Sequence, residues 1–325
     1  MPIQIRRRHA FLAAPLLLPA GVLAQGVPVN AAEEAMTALA ALPGTVSAFV
    51  AVDDPAGAWQ LGHQPDRPLF VGSVVKTFIL AAYLLAVQDD GLSLAEQLPL
   101  NDEVRSLVSP VLEKLTGTLP ARSALEAMIA HSDNTATDMV LKKIGVDAVR
   151  AVIARVPLAG VQVPTSTRRL FSYLAGAAPE QDIGWDGVQA VLADRLPGPP
   201  RPIMNNVESM SASATALVTW YRYVLSGRLF TSATALSEFR RISSMADALS
   251  ATVPPGIASY GKGGSIVWQG ENALSLAGQM MVRGIPASFC FSYNWQGGPE
   301  TVQPATAAMV PAAQAVLRAV AARIS

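Results

Sequence analysis

Apolar and polar positions change their spacing along this chain, and the changes divide it into blocks. "TVSAFVAVDD", Thr45 to Asp54, is β-branched and aromatic and ends in the turn residues Asp54-Pro55-Ala56-Gly57. "AWQLGH" then reads as the returning strand of a hairpin. From Val71 to Gly91 the chain is apolar enough for a long buried helix, and shorter helical stretches follow up to residue 150. Among these, "ARSALEAMIA" keeps a helical period, and "NTATDMVLKKIG" ends at Gly145 as a C-terminal cap would.

Between Pro157 and Met210 the period fades among seven prolines, and "WDGVQAVLADRL" is the one helix the pattern predicts there. Connections of that length are usually functional or flexible. "SASATALVTWYRYVLSG", closed by Gly227, and "SATALSEFRRIS" read as the next helices. Past residue 256 the period becomes two: "ASYGKGGSIVWQ", "NALSLAGQMMV" and "ASFCFSYNW" read as three strands, the last two joined at Arg283-Gly284. "AAMVPAAQAVLRAVAARIS" closes the chain as a helix. Two strands, a helical block, three strands and a helix predict an α/β fold of the α+β kind. It is an antiparallel sheet of about five strands flanked by helices, with an all-helical subdomain, about residues 73–250, inserted.

Composition adds a core and a compartment. Of the 325 residues 51% are hydrophobic and 15% charged, enough to bury a large core. Residues 1–24 combine Arg6, Arg7 and Arg8, a short apolar stretch and Val22-Leu23-Ala24, the layout of a secretory signal. The arginines followed by Phe11-Leu12 also resemble a twin-arginine signal, with the phenylalanine one residue late. An exported, periplasmic or secreted chain starting at Gln25 is expected. It carries 21 basic and 24 acidic residues, a net charge of −3 without a nucleic-acid footprint. No later run reads as a membrane span, so no stable membrane insertion is expected, and the chain is expected to be a monomer. Cys290 is alone and cannot form an internal disulfide. His63 and His131 have no metal-ligand spacing, and the chain lacks a G-x-S-x-G elbow. Neither a metal nor another cofactor is called for.

The chemistry starts in the helix that begins near Val71. "LFVGSVVKTFILAAYL" puts Ser73 and Lys76 one turn apart in an apolar run, and the chain has only five lysines. A lysine without water around it loses its charge more readily and can accept a proton. A serine on the same face is then a candidate nucleophile, although the pair taken alone also fits a helix start with a lysine reaching to solvent. "HSDNTA" places Ser132-Asp133-Asn134 just before a helix, where each residue caps well. "YGKGGS" places Lys262-Gly263-Gly264-Ser265 on a strand. Ser-x-x-Lys, Ser-Asp-Asn and Lys-x-Gly in this order resemble the serine β-lactamases and penicillin-binding proteins. The stretch from Val108 to Gly145, with Ser109-Pro110-Val111, is similar to class A β-lactamases in particular, and the resemblance covers most of residues 45–320.

The resemblance implies roles. Ser73 would be the acylated nucleophile, Lys76 its buried base or proton relay, and Ser132 the donor to the leaving nitrogen. Asn134 would hold the substrate's side-chain amide, and Lys262 its carboxylate. The N–H groups of Ser73 and Ser265, beside Gly264, would form the oxyanion hole. The substrate would be a β-lactam or a peptidoglycan-like peptide.

The sequence also departs from that family. "PTSTRRLFSYLAGAAPEQD" lacks the Glu-x-x-Leu-Asn segment whose glutamate activates the deacylating water. Asp138 stands where the family has an asparagine that braces this Ω loop. Glu180, Asp182 and Glu208 are candidate replacement bases, each expected to be a solvated surface acid. Gly263 replaces the customary serine or threonine, and Ser265, two residues on, is expected to supply the hydroxyl. Three readings stay open: a β-lactamase with an unusual Ω loop, a D-Ala-D-Ala peptidase or other amide or ester hydrolase, and a penicillin binder that turns over slowly or not at all.

Overall fold

The structure, a computed structural model, describes residues 30–324; the expected signal at residues 1–24 lies outside them. The chain opens with α1 (Ala31–Ala40), β1 (Thr45–Val52), β2 (Trp59–His63) and the short β3 (Leu69–Phe70). A 3-10 turn at Gly72–Val75 leads into α2 (Lys76–Gln88). Then come β4 (Gln97–Leu100), β5 (Gly117–Pro120), α3 (Ala121–Ala130), α4 (Asn134–Ile144), α5 (Val146–Ala154), α6 (Thr167–Leu174) and α7 (Gly184–Leu192). After β6 (Ser211–Ala212) follow α8 (Ala214–Leu225), α9 (Ala233–Ser243) and α10 (Asp247–Ser250). The chain returns through β7 (Ala258–Trp268), β8 (Glu271–Val282) and β9 (Ile285–Gln296) and ends in α11 (Val302–Arg323).

Five strands form one antiparallel sheet in the order β2-β1-β9-β8-β7, so the N-terminal hairpin and the C-terminal meander rejoin as the change of period predicts. The block between them is not wholly helical. β4 pairs with β5, and β3 with β6, as two separate two-stranded ribbons. α1, α5, α6 and α10 are absent from the sequence reading. α6 and α10 are eight and four residues long, too short for a period to show. α11 with its preceding turn, residues 299–323, is long and apolar enough to cross a membrane by length and composition, correcting the expectation that no later segment is. In this fold it packs against α1 and the sheet.

α2 is apolar around its whole circumference, and every residue from Lys76 to Leu85 is buried. A helix of that kind belongs inside a protein. It lies between the helices and the sheet, with Trp220 of α8 tilted against Phe78, ring centroids 4.7 Å apart, and bonded to Thr77 Oγ1 at 3.0 Å. Across the sheet, Ser47, Ser292, Ser275 and Gly264 are successive register partners. Residues directly opposite share a face, so these small residues form a shallow row. The segment entering α2 lies against the Gly264 end of that row.

Candidate active site

Three contacts fix where Ser73 stands. Asn294 of β9 clamps Phe70, accepting its N–H at 3.0 Å and donating to its carbonyl at 2.9 Å. Val71 N–H donates to Met210 O at 2.8 Å, continuing the β3–β6 pair. Gly72 then takes φ +56°, in a turn whose backbone presses on β7: a Cβ on Gly72 would meet Ser265 N at 2.9 Å. The approach is closest at Gly264, where a Cβ would lie 2.1 Å from Val71 O and 2.7 Å from Ser73 N. Two glycines therefore let the nucleophile's backbone meet the strand edge, because neither segment has a side chain in between. Ser73 itself lies in the 3-10 turn rather than in the long α-helix the sequence predicts.

Lys76, the first residue of α2, is fully buried. Its Nζ donates to Ser132 O at 2.7 Å and Asn134 Oδ1 at 2.7 Å, and stands 3.4 Å from Ser132 Oγ. Ser132 adopts φ +58°, a left-handed conformation that costs a non-glycine residue energy and that turns its carbonyl onto the lysine. Burial, and next the nearby Lys262, hold the Lys76 ammonium well below the ordinary lysine range, against the pull of Asp133 and Asp138. Asp133 accepts Ala136 N–H at the start of α4 and the N–H groups of Val111 and Leu112, which fastens the 105–112 loop beside the site. Asn134 Nδ2 donates to Leu107 O at 2.7 Å, so this side chain already braces that loop as well as the lysine.

On β7, Lys262 is also buried, and burial brings its pKa down to about 7 with Asp247 opposing. Its Nζ donates to the adjacent Gly263 O at 2.8 Å. Ser265 is exposed, on the strand face of Gly263. His131, next to Ser132, shares a 2.9 Å hydrogen bond with Asp247 of α10, tying the Ser-Asp-Asn turn to the helix over β7.

The candidate bases do not gather here. Glu180 is exposed at φ +66°. Asp182 is bound by both nitrogens of one Arg168 edge at 2.7 Å; burial works against its charge, yet the arginine holds its carboxyl below the usual range. Glu208 corrects the expectation of a surface acid: it is 4% exposed, accepts Thr165 N–H at 2.8 Å and faces Arg169 Nε at 3.6 Å. It is buried because it closes the neck of the rebuilt loop, where Gln162 N–H also bonds Ser211 O at 2.8 Å. None of the three bonds Ser73, Lys76 or Ser132 among the described residues.

What the sequence reading missed is how tightly this loop is held. Buried Arg168 donates to the carbonyls of Asp102, Glu103 and Arg105 besides gripping Asp182. Arg201 donates to Tyr173 O and Ala177 O and lies 4.2 Å from the Tyr173 ring centroid. Arginine patterns like these give no periodic signal. Asp138 accepts the N–H groups of Thr167 at 2.7 Å and Arg168 at 3.0 Å, capping α6 from α4. Burial raises its pKa to about 6 in spite of those bonds. Asp138→Ala leaves two buried donors unpaired, each costing about 1–3 kcal/mol. A fall in Tm of several degrees, with faster amide exchange in α6, is expected, and an unchanged Tm would show that α6 does not depend on this cap.

A buried lysine held against a Ser-Asp-Asn turn, a serine one turn before it and a lysine strand alongside define a serine β-lactamase-like hydrolase. The family model of the β-lactamase enzyme family matches residues 30–233, more than half of the chain, and the chain belongs to that family. Solved structures with the same fold include a β-lactamase from Sphaerobacter thermophilus, 18% identical, covering 90% of this chain and 95% of the other at TM-score 0.67. They also include PBP-A, 17% identical, covering 90% and 96% at TM-score 0.65. The TLA-3 extended-spectrum β-lactamase is 12% identical and covers 90% and 98% at TM-score 0.69. No curated protein matches the chain.

Proposed function

We propose that this protein opens β-lactam rings through an acyl-enzyme on Ser73. The supporting observation is the dry Lys76 amine, held by Ser132 and Asn134 one turn from Ser73. The lysine takes the Ser73 proton as Oγ attacks the lactam carbonyl. The Oγ–acyl bond forms, the C–N bond breaks, and Ser132 Oγ, within reach of Lys76, passes the proton to the leaving nitrogen. The N–H groups of Ser73 and Ser265, whose segments abut, receive the developing oxyanion. By the family resemblance, Lys262 would face a substrate carboxylate where one is present, and Asn134 would hold the acyl side chain. Residues 1–24 support export as the route to such substrates.

A second reading, a penicillin-binding protein that deacylates slowly, is favoured by where the candidate acids stand: Asp182 is taken up by Arg168, Glu208 by Thr165 N–H and Arg169, and Glu180 is exposed. Losing a positioned base costs on the order of 10²–10⁴ in rate. One member of this fold group, a PBP-A mutant, is described as an acyl-enzyme complex with penicillin G.

Intact mass after mixing with penicillin G separates the readings. A lasting adduct means a slow acyl-enzyme, whereas rapid hydrolysis without one means that a group of the rebuilt loop activates water. Ser73→Ala is expected to abolish labelling and hydrolysis alike. Labelling that survives removes Ser73 from the nucleophile's role.

A further inference from the structure

We propose that α10 has rebuilt the strand end of this site so that a substrate carboxylate is not required, and that the protein takes uncharged acyl donors, esters included, about as readily as anionic ones. The inference rests on the acyl-enzyme reading and extends it to a substrate class.

Three observations converge on that end of the cleft. First, a Cβ on Gly263 would stand 2.5 Å from Ala248 Cβ. α10 thus occupies the space where a serine or threonine side chain would start, and position 263 has no room for a hydroxyl. Second, the one cation of this strand is buried and turned aside: Lys262 is 3% exposed and donates to Gly263 O at 2.8 Å. Third, α10 begins with an acid. Asp247 bonds His131, beside Ser132, and stands near enough to act on the Lys262 charge, so an acid shares the strand end with that lysine. Of the charged groups on elements packed against β7, Asp247 of α10 favours the Lys262 ammonium, and Lys262 in turn lowers the pKa of Lys76 of α2. Burial brings that ammonium to about pH 7, so its positive charge fades as pH rises through neutrality. Ser265, on the same strand face, lies about 7 Å farther along the strand than Gly263, so its hydroxyl starts from a different place.

For a phenyl ester the balance is simple. Ser73 Oγ bonds the acyl carbon, the acyl–oxygen bond breaks, and the Ser73 proton passes through Lys76 and Ser132 to the leaving phenolate.

The test uses p-nitrophenyl acetate, penicillin G and penicillin G methyl ester on the whole protein, with intact mass and acylation rates. Acetylation of Ser73, absent in Ser73→Ala, is expected. So is an acid-to-methyl-ester rate ratio under about tenfold, where a site that relies on one charge-assisted contact would show about 10–100-fold. The ratio should fall further as pH rises through 7. Gly263→Ser should lower Tm, and Ala248→Gly in the same chain should restore part of the loss and raise the ratio.

Labelling by penicillin G with none by either ester overturns the proposal and leaves the β-lactam reading standing. Labelling by p-nitrophenyl acetate with none by penicillin G does the reverse, and no labelling at all ends both. Gly263→Ser with an unchanged Tm would show that α10 does not exclude the hydroxyl. A Ser265→Ala variant that loses only the free-acid rate, tenfold or more, would place carboxylate recognition at Ser265 and also overturn the proposal.

Discussion

Lys76→Ala is expected to slow acylation of Ser73 by about 10²–10⁴, the usual contribution of a positioned proton acceptor. The amine is fully buried, with no carboxylate bonded to it among the described residues and a second lysine near enough to oppose its charge. Its folded pKa is depressed, so the neutral, proton-accepting form gains at neutral pH. Wild-type acylation should therefore decline on acidification as Lys76 takes up a proton, and the variant should lack that acid limb. Linkage gives the sign for stability. Because the folded pKa lies below the unfolded value of about 10.4, the contribution is full above that value and is lost as pH falls through the folded pKa. Removing the amine leaves Asn134 Oδ1 and Ser132 O without this donor but also removes a buried group that the fold must keep uncharged. The far-ultraviolet circular dichroism should stay that of the wild type. Stopped-flow acylation with a chromogenic cephalosporin reads the rate directly, and a variant as fast as wild type, with the same pH profile, would end the base assignment.

Gly264→Ala should damage both fold and chemistry. The added methyl would stand 2.1 Å from Val71 O and 2.9 Å from Val74 N, so it meets backbone that no rotamer change can move. Overpacking of this sort costs about 1–3 kcal/mol, occasionally more. Relief of these contacts requires separation of the 72–74 turn from β7, which spreads the Ser73 and Ser265 N–H groups. Loss of one oxyanion donor costs about 10²–10³ in rate. Thermal unfolding and acylation rate should fall together. Gly261→Ala is the informative control, because its Cβ would press on Ala277 O at 2.5 Å, away from Ser73. It should lower Tm while sparing acylation relative to Gly264→Ala. Equal losses of rate in both would mean that general destabilisation, not the turn–strand contact, sets the effect.

The sheet was legible because a period of two survives in strands long enough to show it. β7, β8 and β9 run 11 to 12 residues each, and the two-residue turn at Arg283-Gly284 fixes the register of the last pair. Ser73, Lys76, Ser132 and Lys262 stood out as candidates for a different reason: three short motifs in one order resemble a known family, and the chain has only five lysines. Glu208 was misread. Alone in sequence it looks like any other acid, and its burial depends on Thr165 and Arg169, some forty residues away. The clamps made by Arg168 and Arg201 were invisible for the same reason, since their acceptors are mostly backbone carbonyls, which every residue has.

By itself the sequence determined the five-stranded sheet, the helical block inserted in it, and the candidate nucleophile with its lysine. The sheet and the block follow from local periodicity, and the candidate pair from the order of three motifs that resemble one family. Only the tertiary structure decided that Lys76 is held by Ser132 and Asn134, that the candidate acids stand apart from Ser73, and that α10 fills the space beside Gly263. Those outcomes depend on which distant segments touch, and contact between segments far apart in the chain leaves no local trace in either of them.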